Sequence, residues 1–249
     1  MYPILRVGPA AIQLPGLVLL LGFWICLSLA GRQAKRAGRA EDAIFNAGFL
    51  GLLAGLLGAR LGYVALHWSV YQYDLPGIFA LTAGALSTPA GVGVGLATTA
   101  VVLSFRRPPV PRLLDALAPA FALLFAFISL ADLCSGSAYG AVSDVPWAIE
   151  LWGARRHPTQ IYELLAALAT LGLLSWARTR RPYEGFLFLL FLLSYGIARL
   201  FLEAFRAAPW LFGGGYRIVQ LVSLALVVLS LWLMSQRAVQ KSKLSNELS

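Results

Sequence analysis

The sequence predicts an all-α fold: a polytopic membrane protein of seven transmembrane helices, N-terminus outside and C-terminus cytoplasmic. Three observations predict it, namely an apolar composition, seven apolar runs of spanning length, and an uneven division of basic residues between the connections. Of the 249 residues, 59% are hydrophobic and only 12% charged, whereas a soluble domain carries about 25% charged residues. That balance excludes an ordinary soluble domain. It also turns the reading of the +9 net charge away from nucleic acid, which is not expected as a partner, and toward cytoplasmic loops.

A hydrocarbon core about 30 Å thick needs about 20 mostly apolar helical residues, and suitable runs lie at 10–30, 43–67, 77–104, 113–134, 159–177, 185–205 and 216–236. The first is too long for a secretory signal and precedes the basic GRQAKRAGR instead of a cleavage site, so it reads as a retained helix. The second and third carry Gly55, Gly58 and Gly62, and Gly91 and Gly95, at the small-xxx-small spacing that lets helix backbones approach. Pro89 falls inside the third run and predicts a kink or break there. Residues 135–156, between the fourth and fifth runs, are rich in Gly, Ser, Pro, Asp and Trp, which suits a folded outer loop. Just before the fifth run, Pro158 can sit in the first turn of its helix, where the missing N–H costs nothing. After the seventh, 237–249 reads as a short, frayed polar tail. No linker or fixed-period repeat interrupts the chain, so 1–249 is expected to be one integral membrane domain. Cys26 and Cys134 sit singly in apolar runs, and neither a disulfide framework nor a metal site is expected.

Orientation follows from Lys and Arg, which stay on the cytoplasmic side of short loops. Arg32, Lys35, Arg36 and Arg39, then Arg106, Arg107 and Arg112, then Arg178, Arg180 and Arg181, and finally Arg237, Lys241 and Lys243 share one side. The other side holds only Arg6, Arg155, Arg156, Arg206 and Arg217. Trp68, Trp147, Trp152 and Trp210 fall near the outer ends, as an interfacial aromatic belt would.

An ionised side chain in hydrocarbon costs at least ~2.5–3.5 kcal/mol on insertion scales, so polar groups in or at the ends of the runs are the functional candidates. They are Arg60, Asp132, His157, Glu163, Arg199 and Glu203. Arg199 and Glu203 are four apart on one helical face, with Tyr195 one turn before and Arg206 beyond. Such a stripe can bind a phosphate or hydroxylated head group, the guanidinium giving two parallel charge-assisted hydrogen bonds. It can equally be an ion pair that locks helices together. RRHPTQIYE places His157, Thr159, Gln160, Tyr162 and Glu163 at one helix start, more polar groups than capping requires.

In order along the chain, LVLLLGF, AEDAIFNAGFLGLLAGLLGARLGYV, LDALAPAFAL, RRHPTQIYE, YGIARLFLEAFR and GGGYRIVQLVSL together resemble the prolipoprotein diacylglyceryl transferase family, GARLGYV and HPTQIYE being the most specific. The resemblance implies a multi-pass enzyme of the bacterial inner membrane. In it, the lipobox cysteine thiol of a prolipoprotein signal peptide attacks the glycerol carbon of phosphatidylglycerol, leaving a thioether-linked diacylglyceryl group and glycerol 1-phosphate, with no cofactor. It implies catalytic parts for Arg199, facing the phosphate, and for Glu203 and His157. Arg60, Gly140, Gln160, Tyr162, Glu163 and Tyr195 would bind substrate.

The sequence departs from the family pattern at several positions. Where the outer-loop signature has arginine, asparagine, asparagine and glutamate, this chain has Ser129, Asp132, Ser135 and Ser137. Pro89 replaces a histidine of the third helix, and Pro15 a tyrosine of the first. Two classes of function follow: a divergent transferase, or a catalytically inactive or repurposed paralogue that binds lipid or a membrane protein partner through the same groove. In the first class Arg155 and Arg156 are candidates to replace the cation missing at Ser129.

Overall fold

The computed structural model describes residues 4–7, 10–36, 41–73, 75–79, 85–105 and 109–247. Among these residues six stretches are helical, long and apolar enough to cross a membrane: Leu14–Gln33, Ile44–Leu66, Val110–Ser135, Thr159–Ala177, Phe186–Phe205 and Ile218–Gln240. The chain is an all-helical, polytopic membrane protein. Among the described residues the few strands form three two-stranded antiparallel hairpins: β1 (Ile4–Val7) with β2 (Ala10–Gln13), β3 (Ile149–Leu151) with β4 (Ala154–Arg156), and β5 (Leu211–Phe212) with β6 (Tyr216–Arg217). The chain divides into two compact units, one of residues 1–29 with 110–249 and one of residues 30–109; α1 (Leu14–Arg36) passes from the first into the second.

In the 30–109 unit, α2 (Glu41–Leu66) packs along α4 (Thr88–Ser104), with a short α3 (Trp68–Tyr71) and a 3-10 turn (Pro76–Phe79) between them. Glycine makes the contact possible. A Cβ on Gly91 would lie 2.7 Å from Ala59 Cβ, and one on Gly95 would lie 2.9 Å from the Gly51 carbonyl oxygen, so the small-xxx-small stripes do meet. The third apolar run corrects the sequence reading. Its helix begins only at Thr88, with Pro89 in the first turn, so the proline starts the helix instead of kinking it. The resulting 17 residues span about 26 Å at 1.5 Å per residue.

In the other unit, α5 (Val110–Ser135) packs on α6 (Thr159–Ala177) and α7 (Phe186–Leu202), α6 packs on α7, and α7 on α8 (Ile218–Glu247). Alanines on α5 permit close approach: Ala118 and Ala122 are buried against Leu174, Ala177, Leu187 and Phe191. Phe125 stacks on Tyr195 at 4.4 Å and on Phe191 at 6.2 Å between ring centroids, pairs worth about 0.5–1.5 kcal/mol beyond their buried area. Near the start of α5, the buried Asp115 carboxylate accepts the N–H groups of Gly185 at 2.8 Å and Phe188 at 3.0 Å, satisfying donors that the first turn of α7 leaves without partners. Gly185 has a φ of 91°, a conformation that favours glycine. α8 continues to Glu247, so the tail expected to be frayed is largely helical in its backbone.

Candidate functional site

The connection from α5 to α6 is a folded loop, as its composition predicts. Strands β3 and β4 are joined through Trp152 and Gly153, both at positive φ (54° and 75°), the geometry whose twist suits a two-residue hairpin. Residues 139–141 run as a seam between His157 and the end of α7. Gly140 N–H donates to the His157 carbonyl, His157 N–H to that of Ala141, and Ala141 N–H to that of Phe205 at 2.7 Å. Gly140 is confined by this seam, since a Cβ there would strike the His157 carbonyl oxygen and lie 3.0 Å from that of Phe205.

The polar start of α6 grips the same loop. Thr159 Oγ1 donates to the Ala138 carbonyl and Gln160 Nε2 to the Ser137 carbonyl, each at 2.6 Å, while Gln160 Oε1 is buried with no hydrogen-bond partner among the described residues. Trp147 Nε1 donates to Tyr162 Oη at 2.6 Å, and Tyr162 Oη lies 3.2 Å from His157 Nδ1. The His157 ring meets Phe205 edge-on at 5.0 Å.

Beside this seam lies a network of ions. Glu163 Oε1 accepts from Arg199 Nη1 at 2.7 Å and from Arg206 Nη2 at 2.9 Å, and Arg199 Nη2 also donates to Glu203 Oε2 at 3.1 Å. The i,i+4 pair expected between Arg199 and Glu203 is therefore formed. Glu203 begins a 3-10 turn, Glu203–Phe205, and its side chain is only 2% exposed; its main-chain carbonyl accepts from Arg217. Breaking such a buried pair by removing one partner costs about 3–5 kcal/mol, so the network braces α6 against α7 whatever else it does.

A cavity of about 160 Å³ opens on this network. Ala122, Phe125 and Phe191 line its apolar part, while Asp132, Glu163, Arg199 and Arg206 line its polar end, with Tyr195 also in the wall. Among the sequence candidates it thus gathers Asp132, Glu163, Tyr195, Arg199 and Arg206, with Glu203 behind Arg199. His157, Gly140, Gln160 and Tyr162 build the adjoining loop and are not in its wall.

Arg60 belongs to the 30–109 unit. Its guanidinium donates to the carbonyls of Ile78 at 2.8 Å, Ala85 at 2.9 Å and Gly77 at 2.5 Å, and lies over the Tyr71 ring. Arg155 and Arg156 do not supply a cavity cation. Arg155 donates to the Val145 carbonyl, while Arg156 donates to that of Leu151 and lies 4.9 Å over the Tyr139 ring. Arg206 stands beside Arg199 instead. Asp132 was expected as a functional candidate and Arg206 as the far end of the Tyr195–Arg199–Glu203 stripe, and the cavity brings the two together.

A family model described as prolipoprotein diacylglyceryl transferase matches residues 3–236. Curated relatives include the phosphatidylglycerol–prolipoprotein diacylglyceryl transferases of Geobacter sulfurreducens, 33% identical with 91% of each chain covered, and of Pseudoalteromonas translucida, 31% identical with 96% of this chain and 94% of the relative covered. That of Finegoldia magna is 29% identical, with 86% of each chain covered.

Proposed function

Because the chain belongs to the prolipoprotein diacylglyceryl transferase family, we propose that it moves a diacylglyceryl group from phosphatidylglycerol to the lipobox cysteine of a prolipoprotein signal peptide. The observation that carries this reading is the cavity in which Arg199 and Arg206 converge on one carboxylate, Glu163, at an apolar-to-polar boundary. The apolar wall suits acyl or glycerol carbons. Two guanidiniums suit a departing phosphate, whose charge they stabilise by donating charge-assisted hydrogen bonds in a site of low dielectric.

In this reaction the cysteine sulfur forms a bond to the glycerol carbon as the carbon–oxygen bond to phosphate breaks. Glycerol 1-phosphate leaves with the electron pair, and Arg199 and Arg206 exchange part of their bonding to Glu163 for its oxygens. Glu203 holds Arg199 in place, and Tyr195 shapes the wall beside it. We assign the thiol proton to His157: Tyr162 Oη can accept Nδ1–H beside the bond from Trp147, leaving Nε2 as the basic nitrogen. Gly140 and Gln160 fix the loop that presents this histidine. Arg60, bound by main-chain carbonyls, organises its own unit. We further assign α4 as a seventh crossing, with the N-terminus outside and the C-terminus cytoplasmic in a bacterial inner membrane.

A second reading, a member that binds lipid without transferring it, is favoured by Ser129. This residue is buried and its hydroxyl donates to the Phe125 carbonyl at 3.0 Å within its own helix, so it does not replace the arginine of the family signature. Incubating the purified chain with labelled phosphatidylglycerol and a lipobox peptide separates the two. Label transferred to the cysteine peptide, and not to its Cys→Ser counterpart, supports the transferase; no label, alongside an active relative, supports the second reading.

A further inference from the structure

The proposed reaction leaves one carboxylate of the cavity without a part. Asp132 lies in the last turn of α5 and lines the polar end, as Glu163, Arg199 and Arg206 do. Its main-chain carbonyl accepts the Ser137 N–H at 3.0 Å and the Ser135 hydroxyl at 3.1 Å, bonds that fix the helix end carrying it. The carboxylate itself takes part in no hydrogen bond or ion pair among the described residues, whereas both arginines are bound to Glu163.

Donors and acceptors decide what such a group can hold. Phosphatidylglycerol, the donor lipid in the proposed transfer, carries a phosphodiester and, beyond it, a terminal glycerol with hydroxyls on adjacent carbons. Arginine serves the phosphate but not the hydroxyl protons, because a guanidinium donates hydrogen bonds and accepts none. A hydroxyl proton enclosed without an acceptor loses the bond it made to water. An ionised carboxylate only accepts, through two oxygens with about four lone-pair positions, so a single carboxylate can take both hydroxyls. At the polar end Glu163 gives Oε1 to both guanidiniums, and Tyr195, one turn before Arg199, is stacked on Phe125 at 4.4 Å. Asp132 is the lining carboxylate that holds no guanidinium. One head group can therefore reach both kinds of partner, its phosphate toward the arginines and its hydroxyls toward Asp132.

We propose that Asp132 reads the glycerol end of phosphatidylglycerol, its carboxylate accepting hydrogen bonds from the head-group hydroxyls while Arg199 and Arg206 hold the phosphate. This rests on the proposed function and adds to it the residue that tells this head group from other phosphodiesters. A site that pairs with a substrate hydroxyl rejects the analogue lacking it, since the site's own polar group is then enclosed and unpaired. The hydroxyls depart with the phosphate as glycerol 1-phosphate, so Asp132 grips the leaving group and not the carbon under attack. Such a grip is the same before and during the displacement, and it acts on KM more than on kcat.

The test is a cycle between protein and lipid, run on the full chain in neutral-detergent micelles. Equal phosphatidylglycerol and phosphatidylpropanol of matched acyl chains are offered, the second keeping the phosphodiester and the three head-group carbons but no hydroxyl. The lipid retained on the protein is measured by mass spectrometry. The wild type is expected to retain phosphatidylglycerol over phosphatidylpropanol by about tenfold, the factor that ~1.4 kcal/mol makes. Asp132→Leu, similar in size but without an acceptor, should bring the ratio to within about twofold, and Asp132→Asn, with one accepting oxygen, to about threefold. A role confined to fixing the helix end, or to the general field of the cavity, changes retention of both lipids alike and leaves the ratio as it was. An unchanged ratio in either folded variant therefore overturns the proposal, as does equal retention by the wild type. A control that needs no variant uses phosphatidylglycerol with both head-group hydroxyls methylated, which keeps the oxygens and loses the protons. It should be retained no better than phosphatidylpropanol, and retention equal to that of phosphatidylglycerol overturns the proposal. Peptide transfer in the same preparation tests the proposed function separately: a preference that depends on the hydroxyls and on Asp132, without transfer, overturns the transferase and keeps this inference. Transfer from phosphatidylpropanol as readily as from phosphatidylglycerol does the reverse.

Discussion

Arg60 on α2 and Arg199 on α7 both lie inside apolar helices, and their surroundings assign them different work. Arg60, 5% exposed, gives its guanidinium to three main-chain carbonyls on the stretch before α4. Nothing acidic is among those partners. Arg199 has carboxylate partners on α6 and at the end of α7, with open space in front of it. Carbonyls in a fixed turn hold a cation permanently, whereas a carboxylate shared with a second arginine can give up part of its bonding to an incoming phosphate. The difference teaches that burying an arginine in a membrane does not by itself mark a site; the nature of its partners and an adjacent cavity do.

The largest effect expected from this contrast is on folding. Arg60→Ala leaves three carbonyls without a donor, at about 1–3 kcal/mol each where they are buried, so thermal unfolding in detergent should show a loss of at least ~3 kcal/mol. Transfer activity per folded molecule should persist, and a variant that unfolds like the wild type would remove the structural role. Next in size is Arg199→Lys, which keeps the charge but loses the planar fork. It should reduce transfer by about 10²-fold or more while costing less stability than Arg60→Ala, a comparison made by running both assays on one preparation.

Smaller effects sharpen the contrast from the polar groups around these units. Asp115→Ala removes the acceptor for two N–H groups at the start of α7 and should lower stability by about 1–3 kcal/mol, read as a shift in the denaturation midpoint. Smallest is Tyr183→Phe. The Tyr183 hydroxyl is buried without a partner among the described residues, and burial pushes its ionisation above the usual tyrosine range. Deleting it should change stability by no more than about 0.5 kcal/mol, and a larger loss in the same unfolding assay would reveal a bond that the structure lacks.

Most spans were legible because hydropathy over about 20 residues reports what lipid requires of a helix. The third was not, because an apolar composition continues through 77–87 whether or not the backbone is helical, and Pro89 is compatible both with a break and with a start. The stripe of Tyr195, Arg199 and Glu203 was legible from helical spacing. Arg206 was legible as an extension of that stripe, although the α-helix ends at Leu202 and a 3-10 turn carries the chain onward to it. Its partner Glu163 is 43 residues away, a distance at which local pattern is silent. Asp115 escaped notice within LDALAPAFAL because its task is to cap a helix 70 residues further on. Arg155 and Arg156 looked close to Ser129 in sequence, but the β3–β4 hairpin commits both to carbonyls of the loop itself.

The most direct test of the account is phosphatidylglycerol-to-lipobox transfer measured in parallel for the wild type, Arg60→Lys and Arg199→Lys, with each rate divided by the folded fraction. The account predicts transfer by the wild type, a comparable rate per folded molecule for Arg60→Lys, and a loss of about 10²-fold for Arg199→Lys. Equal losses in both variants, or undiminished transfer by Arg199→Lys, would contradict the division of labour between the two arginines.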